Sequence, residues 1–237
     1  MLSEGKTGKY FKYAFGEIIL VVIGILIALK VNNLNEQRTE EKQREVYTKS
    51  LITSLKQDSL EIEQFLKKSS ERLPKLLEQF QRVKRIKATP DTLVKIARKE
   101  FIQTTHVFTR TYNNTTFKTL VGTGNIALFD SELVADLMSL NSMQESVNST
   151  ILKYNQDYIE RIKTYSNKYP IYAEIPKIES PVHKLLWEDI KKNEFSSVFM
   201  SVITFKVLLE NTGKESHELL LKKTIDLLKK LNKKTKS

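Results

Sequence analysis

The sequence predicts an all-α protein in which one N-terminal transmembrane helix is followed by a juxtamembrane stalk and an antiparallel helical bundle. Three observations predict this fold class. An apolar run lies near the N-terminus, and apolar residues beyond it recur at steps of three and four positions. Only three of the seven glycines lie beyond the run, where all five prolines also lie. The scarcity of glycine and proline and the helical spacing of the apolar residues argue against a turn-rich β fold.

Residues 13–31 have the length and composition of a transmembrane helix. Ile18–Leu29 contains no polar side chain, and a bilayer core about 30 Å thick needs about 20 residues of helix. Residues 1–12 carry three lysines close to aromatic residues, a pattern typical of the cytoplasmic edge of a span. We therefore expect residues 1–12 to be a cytoplasmic tail and the C-terminal region to lie outside the cytoplasm. No small-residue cleavage site follows the run, which favours an uncleaved signal anchor over a signal peptide.

Two features of the predicted span are not explained by its hydrophobicity alone. Gly16, Gly24 and Ala28 fall along one helix face, and the pair Gly24-xxx-Ala28 would let a second helix approach closely. Glycine is common in membrane helices, so this spacing also has a simpler explanation. Glu17 is an ionisable residue inside the predicted span, which makes it a functional candidate. At this depth it is also able to reach the headgroups or to pair with a nearby lysine.

Two motifs resemble those of a known family. The run Gly16–Leu29, followed by Asn32-Asn33-x-Asn35-Glu36, resembles the signature of an uncharacterised family of single-span membrane proteins from Bacteroidota. The stretch 117–133, with Gly124-Asn125-Ile126 inside it, is similar to a helix–glycine–helix turn in the soluble part of that family. Members usually have a longer basic tail, and more often carry Trp where Leu34 stands. The resemblance implies a bacterial inner-membrane anchor with a helical periplasmic domain, and no assigned activity.

Residues 32–68 are predicted to form the juxtamembrane stalk helix. Charged residues dominate its start, and an apolar stripe follows at helical spacing, made by Leu51, Leu55, Ile62, Phe65 and Leu66. Residues 33–66 alone would project about 50 Å at 1.5 Å per residue. The stripe either packs on its own domain or pairs with the stalk of a second copy as a coiled coil, and the sequence leaves both alternatives open.

Residues 69–232 are predicted to form the helical bundle. Pro74 fits the first turn of a helix. Thr89 fits the cap of a second helix, which has Pro90 at its first position. The stretch Phe101–Tyr112 is rich in Thr, Val and Phe and is expected to be a loop or irregular.

A long helix is expected in the middle of the bundle. Val121–Asn125 contains two glycines but lacks the lysine and serine of a phosphate-binding loop, so it is expected to close one helix and link it to the next. Asp130 or Ser131 then caps a helix that extends to about Ser166.

The C-terminal part contains the expected crossover and two more helices. Three prolines predict an extended connection over Tyr169–Val182. The helices are expected over Glu188–Glu210 and Glu215–Leu231, with a link at Asn211-Thr212-Gly213. Residues 233–237 are predicted to be a basic, disordered end.

The net charge of +11 is concentrated at the C-terminus. About half of the excess lies in the last twenty residues, where the candidate residues for contact with an anionic surface are Lys222, Lys223, Lys229, Lys230, Lys233 and Lys234. Such lysines either form a solvated helix face or contact anionic lipid, to which each adds about 1 kcal/mol. Nucleic acid is a less favoured partner, because the run lacks interleaved aromatic residues.

Neither a catalytic site nor a metal or cofactor site is predicted. The chain has no cysteine, which excludes disulfides, thiolate metal sites and cysteine nucleophiles. His106, His183 and His217 have no metal-ligand spacing around them, and no serine lies in a nucleophile motif.

The function predicted from the sequence is therefore non-enzymatic. The chain is expected to act as an envelope scaffold or accessory subunit, with the lipid bilayer and a second copy or another membrane protein as partners through the span and stalk. The alternative is an extracytoplasmic sensor or ligand-binding module. It would signal through a partner, because only about twelve residues lie on the far side of the span.

Overall fold

The computed structural model describes residues 4–99, 111–170 and 181–234. Within these residues the secondary structure is helical and contains no strand, which confirms the all-α prediction. The elements are, in order, α1 (Glu4–Lys84), α2 (Pro90–Lys99), α3 (Thr115–Gly122), a 3₁₀ turn (Asn125–Leu128), α4 (Ser131–Ser166), α5 (Pro181–Glu188) and α6 (Lys192–Lys234).

Helix α1 contains both the predicted span and the first helix of the bundle. Its N-terminal part includes an 18-residue window with a mean hydropathy of 2.2, none of it buried, and is long and apolar enough to cross a membrane. Residues 15–46 are exposed along their whole length. In residues 32–46 charges of both signs surround the helix, which therefore has no apolar seam.

Packing of α1 begins at Tyr47 and Thr48. The predicted stalk stripe then lies inside the bundle, with Leu51 3%, Leu55 5% and Ile62 0% exposed. Of the two alternatives for this stripe, packing on its own domain is therefore the one observed. The predicted boundary between residues 68 and 69 falls inside this packed part of α1.

Three long helices build the bundle. Helix α6 packs against both α1 and α4, and α2 packs mainly on α6. The core consists of two clusters, which we name proximal and distal by their distance along α1 from its apolar N-terminal part. The proximal cluster joins the middle of α1 and the early part of α4 to the end of α6. The distal cluster joins the end of α1 and the late part of α4 to the start of α6. Helices α1 and α4 are therefore parallel, and α6 runs antiparallel to both.

Aromatic side chains dominate the distal cluster. The rings of Phe195 and Phe199 stack with centroids 5.5 Å apart, and Trp187 meets the Phe195 ring edge-on at 6.0 Å. Tyr165, 1% exposed, lies within 6.3 Å of both phenylalanine rings. This packing holds the short helix α5 on the bundle.

Two predicted breaks are wrong, because the helices continue through them. Pro74 lies inside α1 and does not start a helix. Gly213 lies inside α6, so the predicted helices Glu188–Glu210 and Glu215–Leu231 are parts of one element that begins at Lys192. A Cβ on Gly213 would lie 3.5 Å from Phe65 Cζ and 3.6 Å from Ile151 Cδ1. Both distances are ordinary van der Waals contacts, so Gly213 lies within a packed helix and does not form a turn.

Several other local predictions are confirmed. Helix α2 begins at Pro90, and Asp130 caps α4 by accepting a hydrogen bond from Leu133 N at 2.9 Å. Helix α3 ends at Gly122, and Gly124 adopts a left-handed φ of 76°, which turns the chain towards α4.

Three further predictions concern segments at the limits of the described residues. Residues 101–110 and 171–180, in the predicted loop and crossover, lie outside the described residues. The sequence predicts a crossover that ends at Val182, but α5 begins at Pro181, so this boundary is wrong. The predicted disordered end began at residue 233, whereas α6 continues through Lys233 to Lys234.

Candidate functional site

The small-residue face of the span is open. A Cβ added to Gly16 or to Gly24 would meet nothing within 4 Å. Ala28 and Glu17 are exposed as well. The structure therefore brings none of these four residues into contact with the bundle, and close approach of a second helix at this face stays a prediction.

The C-terminal lysines include several that bind helix α4. Lys230 Nζ lies 2.5 Å from Asp136 Oδ2 and 2.8 Å from Glu132 Oε1. Hydrogen bonds to Asp136 and Glu132 raise the pKa of Lys230. Lys234 donates to Asp130, which lowers the pKa of that carboxyl, and Lys223 donates to Ser139.

Several lysines at the end of α6 are paired with neighbouring side chains. Lys223, Lys230 and Lys234 join the end of α6 to the start of α4, and Lys229 pairs with Asp226 on its own helix at 3.4 Å. Acidic neighbours thus offset part of the positive charge. Contact of Lys222, Lys223, Lys229, Lys230, Lys233 and Lys234 with an anionic surface stays a prediction.

A buried polar layer lies where the two core clusters meet. Each of the three long helices contributes two residues to this waist layer: Ser69 and the half-buried Arg72 from α1, Asn155 and Tyr158 from α4, and Lys206 and Glu210 from α6. Lys206 is 3% exposed and Glu210 is 1% exposed, which is rare for charged side chains. The layer is therefore the principal polar feature of the described core.

Glu210 joins two cations in the waist layer. Its Oε2 lies 3.4 Å from Arg72 Nη2, and its Oε1 lies 3.2 Å from Lys206 Nζ. Lys206 Nζ also lies 5.0 Å from the centroid of the Tyr158 ring, within the range of a cation–π contact. The carboxylate thus pairs with a half-buried cation of α1 and with a buried cation of its own helix.

Burial controls the protonation equilibria in this layer. It lowers the pKa of Lys206, although the Glu210 carboxylate opposes that shift. Burial, and then the negative charge of Glu210, raise the pKa of Tyr158. Among the described residues neither Tyr158 OH nor Ser69 Oγ has a hydrogen-bond partner. Because buried polar groups without full hydrogen bonding are costly, the layer is a polar network only partly satisfied.

A second polar contact fixes residues 112–113 against the long helices. Asp58 Oδ1 accepts from Asn113 N at 2.9 Å and from Asn113 Nδ2 at 2.8 Å, and its Oδ2 accepts from Gln144 Nε2 at 3.1 Å. Burial raises the pKa of Asp58, whereas the bonds from Asn113 oppose the shift. This carboxyl joins α1, α4 and the chain that leads into α3.

His217 belongs to the same region of the core and is packed. Its Nδ1 lies 2.6 Å from the Gly213 carbonyl oxygen, which only accepts, so Nδ1 donates this hydrogen bond. Its Nε2 lies 3.3 Å from the Tyr112 hydroxyl. Its ring lies 4.4 Å from the ring of Phe65. Of the other histidines, His106 lies outside the described residues and His183 belongs to α5.

Sequence reasoning missed the waist layer, although a signal was present. Lys206 follows Val202 by four positions and Ile203 by three, so it occupies a core position of the helical period. Asn155 likewise follows Ile151 by four positions. A polar residue at a core position indicates a buried polar contact, but its partner on another helix is not visible in one sequence.

Neither the curated proteins nor the solved structures contain a match to this chain. A protein-family model matches residues 17–169, which extend from the apolar part of α1 to just beyond α4. Helices α5 and α6 lie beyond this match. Because the match covers more than half of the chain, the protein belongs to DUF6090, a family of unknown function.

Proposed function

We propose that the protein is a non-enzymatic, membrane-anchored helical module of the bacterial envelope, which acts as a scaffold or accessory subunit through helix–helix contacts. One observation carries the proposal. The apolar part of α1 is fully exposed and makes no contribution to the core, yet it continues without a break into a well-packed bundle. A large exposed apolar surface marks a membrane or protein interaction site.

The orientation is part of the proposal. The three lysines of residues 1–12 favour a cytoplasmic N-terminus. The bundle would then lie in the periplasm and the span in the inner membrane. The resemblance of Gly16–Leu29 to the Bacteroidota signature supports this location. The exposed rod of residues 32–46 would then serve as a spacer between the membrane and the bundle, because charges of both signs surround it.

Anchoring is tested by flotation of membranes after a carbonate wash. The full chain is compared with a variant that begins at Asn32 and therefore retains the rod and the bundle. We expect the full chain to float with the membranes and the shorter chain to remain soluble. Release of the full chain by carbonate would contradict anchoring through residues 13–31.

Helix–helix contact is tested within the span. Replacing Gly24 and Ala28 with Ile fills the face that the small residues leave open, so self-association of the isolated span in a membrane should be abolished. A matched control replaces Ile23 and Ile27 with Leu, which leaves the small residues in place. Unchanged association of the Gly24 and Ala28 variant would contradict this interface.

A sensor or ligand-binding module is the second candidate. It is favoured by the waist layer, because α1 connects the predicted span directly to a buried polar layer in which Tyr158 OH and Ser69 Oγ have no hydrogen-bond partner among the described residues. A ligand pocket beside the tyrosines of α4 would support the sensor. Tyr158 and Tyr165 are only 2% and 1% exposed, however, and both pack in the distal cluster. The sensor is tested by amide hydrogen exchange of the reconstituted chain. Exchange in α4 and α6 around the layer should change when Glu210→Gln is introduced, and also when an envelope extract is added.

A further inference from the structure

We propose that the waist layer holds internal water, bound by the hydroxyl groups of Ser69 and Tyr158 beside the carboxylate of Glu210. The ligand is one water molecule or a small group of them. All three residues are buried in the core of the bundle, so the inference does not depend on the proposed membrane anchoring.

Two buried hydroxyl groups carry the inference. Ser69 is 0% exposed and Tyr158 is 2% exposed. Neither hydroxyl oxygen has a hydrogen-bond partner in the part of the chain that the structure describes. A buried hydroxyl without a partner has given up its hydrogen bonds to bulk water and gained none, which is costly. Native proteins satisfy most such groups with protein atoms or with ordered water, so internal water is the partner that fits these two.

Ser69 differs from other hydroxyl residues of the long helices. Ser70, the next residue, donates to the carbonyl oxygen of Lys67 at 2.7 Å. Thr224, which is also 0% exposed, donates to the carbonyl oxygen of Leu220 at 2.9 Å. A bond of this kind to the helix's own backbone is the common alternative to solvent for a hydroxyl inside a helix. Since Ser69 makes none, its hydroxyl is available to a molecule bound between the helices.

The two hydroxyl residues lie at the level of the ion pairs. Ser69 precedes Arg72 by about one helical turn, and Arg72 Nη2 lies 3.4 Å from Glu210 Oε2. On the other side, the centroid of the Tyr158 ring lies 5.0 Å from Lys206 Nζ, which in turn lies 3.2 Å from Glu210 Oε1. The carboxylate of Glu210 is therefore a neighbour of both helices that present an unpaired hydroxyl.

The charges of the layer favour water over an ion. An anion would be repelled by Glu210, and a cation by the two basic side chains that Glu210 contacts. Water donates to a carboxylate and accepts from hydroxyl groups, so it serves both kinds of group in the layer. The size of Ser69 also suits a bound water. It follows the buried Phe65 by four positions and precedes the buried Leu73 by four, and its smaller side chain leaves space at a core position.

Removal of one hydroxyl tests the site by thermal unfolding of the full chain in detergent. Tyr158→Phe keeps the ring and removes only the oxygen. If water is bound, this variant loses a hydrogen bond, so its Tm should fall by about 2 to 4 °C. Thr224→Val is the matched control, because it removes a buried hydroxyl with a protein partner and should lower the Tm to a similar extent. An unchanged or raised Tm for Tyr158→Phe would overturn the site, since removal of an unpaired buried hydroxyl has no such cost.

A crystal structure of the full chain, at a resolution that shows ordered water, tests the site directly. We expect a water peak within about 3.2 Å of Tyr158 OH and of Ser69 Oγ. Absence of such a peak at either hydroxyl would overturn the proposal, even if Tyr158→Phe lowers the Tm. Crystals grown in bromide distinguish water from an anion. We expect no anomalous signal at these peaks, and a bromide signal there would refute water as the ligand.

Discussion

Replacing Gly213 with alanine should stabilise the bundle. Gly213 lies inside α6, and its φ is not in the left-handed region. Alanine is favoured over glycine inside a helix by about 1 kcal/mol. The added Cβ would lie 3.5 Å from Phe65 Cζ and 3.6 Å from Ile151 Cδ1, which is ordinary van der Waals contact. We therefore expect the free energy of unfolding to rise by about 1 kcal/mol.

The assay is thermal unfolding of the full chain in detergent, followed by circular dichroism at the helix band. For a bundle of this size, a gain of about 1 kcal/mol corresponds to a Tm increase of roughly 2 to 4 °C. Gly213→Leu should instead lower the Tm, because the extra atoms overpack the space beside Phe65 and Ile151, at a cost of about 1 to 3 kcal/mol.

Gly124→Ala is the matched control, since Gly124 has a φ of 76°. Alanine in that region is strained by about 1 to 2 kcal/mol, so its Tm should fall although the added Cβ meets nothing within 4 Å. If Gly213 were the link between two helices, its alanine variant would resemble that of Gly124. A lower Tm for Gly213→Ala would therefore refute the continuous α6.

Three further predictions concern charged groups. Glu210→Gln removes the carboxylate that Lys206 and Arg72 both contact, so urea unfolding should show a loss of roughly 3 kcal/mol; a loss below about 1 kcal/mol would contradict a buried pair. Burial raises the pKa of Asp58, so the folded state favours the protonated carboxyl. The resulting gain in the free energy of unfolding is present below pH about 3.8, and it is lost as the pH rises through the pKa of the folded state. Asp58→Asn should remove this pH dependence. If urea unfolding of the original chain and of Asp58→Asn depends on pH in the same way, the pKa of Asp58 is not raised. Lys230→Ala should lower the Tm at low salt, and the difference should shrink in 1 M salt because exposed pairs are screened; a difference independent of salt would contradict an electrostatic clamp.

Local signals in the sequence predict much of this fold. The apolar run, the capping Asp130 and the restart at Pro90 depend on nearby residues, and the structure places each as expected. Gly213 and Pro74 were misleading because tertiary packing overrides a local breaker, and neither residue ends its helix.

The candidate sites were harder to predict, because they depend on contacts between distant parts of the chain. Arg72 and Glu210 are 138 positions apart, and the antiparallel register of α1 and α6 brings them together. Lys230 and Lys234 had the composition of a free basic surface, but α4 supplies acidic partners for them. A single sequence contains the period of each helix but not the register between helices.

The measurement that tests membrane anchoring and orientation most directly is labelling of two single-cysteine variants in cells. Ser149→Cys lies on the exposed face of α4, and Ser3→Cys lies in the N-terminal tail. Cells with a permeabilised outer membrane receive a membrane-impermeant maleimide, and the protein is then recovered from the membrane fraction. We predict labelling at position 149 and protection at position 3 until the cells are lysed. Protection at position 149 until lysis, or recovery of the chain in the soluble fraction, would contradict a membrane-anchored bundle in the periplasm.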